Sequence, residues 1–182
     1  MDYIDASVAE ALEASGGSHD RVTLVAHSAA GWLSRVWMAE LGGNARVAKL
    51  VSLGSPHRPV PEGIPGVVDQ TRGILKHVEE TMPGAFHAPE VEYVCIAGTF
   101  ARGARWDDES AKMGRKLLGQ SYKMVHGESD VVGDGITPVP TAHLPGALNI
   151  ELKGVYHSPL GASDARPWYG TDSILDQWIV HL

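Results

Sequence analysis

Among the residues able to act as nucleophile, base or acid, Ser28 in the segment VTLVAHSAAGWLSRVW is the most informative. It stands where a β-rich apolar run, Val22 to Ala26, gives way to a helical pattern from Ala29 to Leu41. A serine at such a join sits on a sharp strand–turn–helix bend that raises its hydroxyl above the sheet. The helix N-terminus behind it offers backbone N–H groups and a positive dipole end to a developing oxyanion. The bend needs small residues two places either side of the serine, where strand and helix backbones pack closely. Those places hold Ala26 and Ala30, with Gly31 one step further on. Glycine is usual at both, and alanine at the second adds a methyl group where space is expected to be tight. A serine at this join is also a good helix N-cap, so the segment alone supports two readings.

Nucleophilic serine chemistry needs a base and an acid, each after a later strand, in the chain order serine, acid, histidine. His157 in LNIELKGVYHSP follows an apolar strand, Leu148 to Leu152. Asp134 in GDGITP follows an earlier strand, Val91 to Ala97, and the polar segment after it. Asp130 in GESDVVGD competes for the acid role, and the GDG turn puts Asp134 ahead. His27 reads as a packing or polar-network residue, because neighbours on a strand point to opposite faces. His57 in GSPH and His143 in TAHLPG read as loop-fixing groups. The nine histidines form no H-x-x-x-H pair and there is no C-x-x-C, so neither a metal site nor a cofactor is expected. Cys95 lies inside the apolar run VEYVCIAG and reads as a buried structural thiol. Trp32, Trp37 and Met38 follow the serine at helical spacings and read as helix packing. Trp106, in a polar stretch, reads as a surface anchor before a border to a substrate entrance.

These groups need a scaffold, and the pattern of elements supplies one. Residues 2–15 carry Ile4, Val8, Ala11 and Leu12 at helical spacing and stop at Gly16–Gly17. A strand from Val47 to Leu53, a helix from about Val67 to Thr81, the two strands named above and a closing helix from Ser173 to His181 complete the series. Gly98 to Lys112 is polar and irregular, an insertion or lid. Alternating strands and helices predict one α/β domain over residues 1–182, with a mostly parallel sheet flanked by helices. Composition agrees, with 43% apolar residues, 20% charged residues and a formal net charge of −7. No Lys/Arg-rich run exists to track phosphates, so nucleic acid is not an expected partner. No run approaches the roughly 18 apolar residues of a membrane span. The N-terminus is acidic and helix-like, not a signal peptide, and one cysteine forms no internal disulfide. This balance favours an intracellular soluble protein, in cytoplasm or plastid.

The segments AHSAAGW, LVSLGSPH, VVDQTRG, EYVCIAG, GDGITPVPTAHLPGA and GVYHSP together resemble the lipase-like α/β-hydrolases. The resemblance is strongest to plant and algal members related to the GPI inositol-deacylase and lecithin-cholesterol acyltransferase groups. It implies Ser28 as nucleophile, Asp134 in the GDG-x-x-P turn as acid, His157 in the G-V-x-H turn as base, and the Ala29 N–H as an oxyanion donor. The implied reaction is hydrolysis or transfer of a small-molecule or lipid acyl ester through an acyl-enzyme. The Gly98–Lys112 and Gly63–Gly84 segments are expected to cover an apolar site. The family also carries earlier strands and a loop, often with an H-G dipeptide, that gives a second oxyanion N–H. Here the first strand already ends at the serine, as in the C-terminal part of that fold or a truncated gene product. The expected sheet is four contiguous strands, with Val22 to Ala26 as an exposed apolar edge. Losing one oxyanion donor costs on the order of 10²–10³ in rate. A non-catalytic remnant serving as a binding module is the rival expectation.

Overall fold

The computed structural model describes residues 2–182. Helix α1 (Asp2–Ala14) leads into strand β1 (Val22–His27), followed by α2 (Ala29–Glu40), β2 (Val47–Leu53) and α3 (Ile74–Thr81). Strand β3 (Glu92–Thr99) is followed by β4 (Ala101–Arg102), α4 (Met113–His126), β5 (Val132–Gly133) and α5 (Val139–Ala142). Strand β6 (Leu148–Lys153) and α6 (Asp172–Trp178) close the chain. The main sheet is parallel throughout, in the order β1-β2-β3-β6. The four strands are therefore contiguous neighbours, as expected from the sequence.

The central strands β2 and β3 read as near-continuous apolar runs because both of their faces are covered, whereas β6 alternates apolar and polar residues. Side chains alternate across the sheet, so consecutive residues serve different cores. Leu50, Tyr93 and Cys95 pack with Val8 of α1 and with Trp37 and Met38 of α2. Val51, Val94 and Ile96 pack on the other face with Leu152, Tyr169, Ile174 and Trp178. Strand β1 pairs on one side alone, and Val25 on it is 48% exposed, which is the apolar edge the sequence predicts.

Three segments differ from expectation. The helix read from about Val67 begins only at Ile74. The Asp69 carboxylate accepts the N–H groups of Thr71 (2.8 Å) and Gly73 (2.7 Å) and the Thr71 hydroxyl (2.7 Å). That local network competes with the helix ladder, and Arg72 and Gly73 take positive φ of 54° and 86°, which no right-handed helix contains. Helix α4 is the second difference, since the sequence reading gave no helix there. It buries little beyond Gly119 and Tyr122, and its glycine is needed: a Cβ at Gly119 would lie 2.0 Å from the Ala104 carbonyl oxygen. The polar segment from Gly98 is partly ordered as well. It finishes β3 and supplies β4, which pairs antiparallel with β5. Among the described residues, no helix is long and apolar enough to cross a membrane.

Candidate active site

Ser28 and His157 lie in loops that follow the C-terminal ends of parallel strands, the usual location in open α/β sheets, and Asp134 follows β5 of the small antiparallel pair. Ser28 follows β1 with φ 57° and ψ −128°, a region non-glycine residues avoid, at a cost of about 1–3 kcal/mol. The bend is held by the Ser28 N–H donating to the Leu53 carbonyl (3.0 Å) at the end of β2. The side chain makes no capping bond to α2. Its Oγ instead lies 3.0 Å from His157 Nε2.

The crowding at this bend is not where the sequence pattern puts it. Ala30 is exposed, so its methyl group meets no tight wall. The close approach is at Gly31, where a Cβ would fall 2.2 Å from Ser55 Oγ and 2.5 Å from Ser55 Cβ. Ala26 is buried, as expected.

Asp134 is fully buried at the end of β5, held there by the β4–β5 ladder. Its Oδ1 accepts the N–H groups of Ile136 (3.0 Å) and Thr137 (2.7 Å). Its Oδ2 accepts His157 Nδ1–H (2.7 Å) and the Tyr169 hydroxyl (2.8 Å). All four partners are donors, so the carboxylate acts purely as acceptor. Nδ1 of His157 then carries the proton, and Nε2 is left to accept from the Ser28 hydroxyl. The backbones are joined too, since the His157 N–H donates to the Asp134 carbonyl (2.8 Å). Asp130 lies elsewhere, its carboxylate 3.0 Å from Arg102 on the surface. Tyr169 was missed in the sequence, where nothing in PWYGTD marks it.

The remaining histidines divide by surroundings. His27 Nε2–H donates to the His157 carbonyl (2.9 Å) and the two rings stand 4.7 Å apart. Burial, then the neighbouring His157, pulls the His27 pKa down. His57 is buried and its Nε2 is hydrogen-bonded with Ser52 Oγ (2.9 Å), close to Cys95 Sγ (3.6 Å). Burial, helped by Arg35, lowers its pKa to about 3, and burial pushes the Cys95 thiol up to about 11. Arg35 reaches the His57 carbonyl (3.3 Å), tying the loop after β2 to α2. His143 is half-buried in the loop after α5, and its Nε2 has no hydrogen-bond partner. Among the described residues no three His, Cys, Asp or Glu side chains gather closely enough to hold a metal.

A cavity of about 270 Å³ opens onto Ser28 and Ala29. Its walls are mostly apolar: Trp32, Val60, Leu75, Met124, Val125 and Ile136, with Asp69, Gln70 and Thr71 as polar lining. Trp32 thus faces a cavity as well as packing α2. The cover comes from the loop before α3 and from α4, and not from the Gly98–Lys112 segment. Trp106 borders a different, polar groove of about 750 Å³ with Arg105, Asp107 and Lys123.

Set beside known proteins, the chain matches no family model and no curated protein. It is similar in structure to the Bacillus licheniformis lipase BlEst2. The mature form gives a TM-score of 0.55 at 19% identity, covering 85% of this chain and 64% of the lipase. The propeptide form gives 0.61 at 17% identity, covering 98% and 39%. The likeness is one of fold: an α/β domain with a mostly parallel sheet flanked by helices. This chain spans less than two thirds of the length of either lipase structure.

Proposed function

We propose that this chain carries the catalytic centre of a serine ester hydrolase of the lipase or esterase type. The observation that carries the reading is one continuous relay. Ser28 Oγ is 3.0 Å from His157 Nε2, and His157 Nδ1 is 2.7 Å from Asp134 Oδ2. Ser28 Oγ attacks the acyl carbon while its proton passes to His157 Nε2, and Asp134 steadies the imidazolium. The tetrahedral oxyanion lies against the N-terminus of α2, where the Ala29 N–H is a donor. Collapse expels the alkoxide, which takes the proton from His157. Water then repeats the sequence and frees the acid. No metal or cofactor enters these steps.

The apolar walls above Ser28 favour a neutral acyl chain, which makes small-molecule or lipid esters the proposed substrates. Kinship with the plant and algal inositol-deacylase and acyltransferase groups is part of the same proposal and rests on the sequence motifs. The test is labelling of the folded chain with a fluorescent fluorophosphonate, beside Ser28→Ala and a heat-denatured control. Labelling of the native protein alone is the expected result. A folded chain that stays unlabelled overturns the hydrolase reading and leaves the binding-module alternative.

A further inference from the structure

The Asp134 Oδ2 that accepts from His157 also accepts from a tyrosine, and the fold has built a niche for that second contact. The Tyr169 hydroxyl donates to Oδ2 at 2.8 Å and accepts the Gly98 N–H at 2.8 Å. Its ring is fully buried, and its carbonyl is fixed by Trp178 Nε1–H at 2.8 Å, which ties it to α6. Two glycines at strand ends clear the space. A Cβ at Gly54 would lie 2.5 Å from Asp134 Oδ2 and 2.8 Å from Tyr169 Oη. One at Gly98 would lie 2.9 Å from Asp134 Cβ and 3.0 Å from Tyr169 Oη. A tyrosine needed only for packing would require neither gap nor hydroxyl.

We infer that Tyr169 is a positioning residue that sets the basicity of His157 by sharing Asp134 Oδ2 with it. Two donors on one oxygen divide its lone-pair density, so each bond weakens the other's hold. With Tyr169 in place, the carboxylate stabilises the imidazolium less than it otherwise would, and His157 releases its proton more readily. The Tyr169 hydroxyl keeps its own proton, because burial and the neighbouring Asp134 raise its pKa well above the ordinary value. The other titratable groups around the pair are His27, whose ring is 5.8 Å from that of Tyr169, and Tyr122, whose hydroxyl accepts the Gly135 N–H at 3.0 Å. The inference rests on the proposed triad, but its first readout does not need activity.

The experiment follows the His157 ring by NMR across pH in the wild type and in Tyr169→Phe, with His157→Gln to assign the resonance. Tyr169→Phe is expected to raise the His157 midpoint, and to move the acid limb of fluorophosphonate labelling upward with it. A site-specific 3-fluorotyrosine at position 169, a stronger donor of nearly the same shape, is expected to move the midpoint the other way. Urea midpoints establish that each variant is folded. An unchanged or lowered midpoint in folded Tyr169→Phe overturns the inference, whether or not Ser28 labels. If Tyr169→Phe does not fold, an unchanged midpoint in the fluorotyrosine protein overturns it equally. A shifted midpoint in a chain that never labels sustains the coupling and overturns the hydrolase reading instead.

Discussion

Replacing Gly31 by alanine tests the geometry of the serine bend directly. The added Cβ would sit 2.2 Å from Ser55 Oγ, 2.5 Å from Ser55 Cβ and 3.3 Å from Ser52 Cβ. Carbon atoms settle at about 3.5–4.0 Å, so α2 and the loop after β2 must part by more than about 1 Å. Overpacking of this kind costs about 1–3 kcal/mol, and the better helix propensity of alanine returns about 1 kcal/mol. The net expectation is a loss of up to about 2 kcal/mol, or a Tm lower by up to roughly 4–8 °C for a domain of this size. The rate should suffer more, because displacing a catalytic group by about 1 Å can cost on the order of 10²-fold. Ser55→Gly removes the two nearest atoms at the expense of one long bond to the Ala26 carbonyl (3.4 Å). The assay is a double-mutant cycle over Gly31→Ala and Ser55→Gly, reading urea unfolding and the fluorophosphonate labelling rate. Most of both losses should return in the double variant, with a coupling of about 1 kcal/mol or more. Exposed Ala30→Gly should leave the labelling rate within about threefold. Wild-type labelling by Gly31→Ala, or no recovery with Ser55→Gly, would refute the assignment of the tight contact.

Other outcomes follow from single contacts. Asp134→Asn keeps the shape of the site but lets Nδ1 of His157 lose its proton, so labelling should fall by about three to four orders of magnitude; a drop under tenfold counts against the relay. Arg35→Leu strips donors from the carbonyls of His57 (3.3 Å), Met82 (2.6 Å) and Gly84 (3.3 Å). Urea unfolding should show a loss of about 2–4 kcal/mol, and an unchanged midpoint would show those carbonyls find other partners. His57 has a folded pKa of about 3 against an ordinary 6.5, so the unfolded chain binds the extra proton first. Stability is thus fully present above pH 6.5 and falls by about 1.4 kcal/mol per unit from there towards pH 3. His57→Asn should flatten that slope, and an equal slope in both proteins would assign it elsewhere. Trp106→Ala should leave the fluorophosphonate labelling rate unchanged, because Trp106 borders a groove apart from the Ser28 cavity; a slower rate would contradict this.

The parallel sheet was legible because its central strands are largely apolar runs between glycines and loops, and β6 alternates with period two. The serine bend was legible because a strand motif meets a helix motif at one residue. Chain order put Asp134 and His157 forward, and in the structure their side chains meet each other and Ser28. What stayed hidden depends on side-chain bonds that leave no periodic trace. Asp69 delays α3 through three hydrogen bonds that look in sequence like any turn. Helix α4 carries Leu117, Tyr122 and Met124 among two lysines, one arginine and two glycines, which dilutes its apolar stripe. Tyr169 reaches Asp134 from 35 residues away, and no spacing rule links them.

Ser28 and His157 belong to opposite margins of the sheet. Ser28 follows β1 on one margin and His157 follows β6 on the other, with β2 and β3 between them. Three inter-strand steps of about 4.8 Å separate those margins, so the Ser28–His157 bond is a clasp thrown across the top of the sheet. Outer strands fray at lower free energy than the whole domain unfolds. Either margin can therefore release the clasp while the centre of the sheet stays intact. Reactivity of Ser28 becomes a fraying gauge: on titration with urea it fades before the far-ultraviolet circular dichroism does, and the gap between the two curves measures how loosely the margins are held.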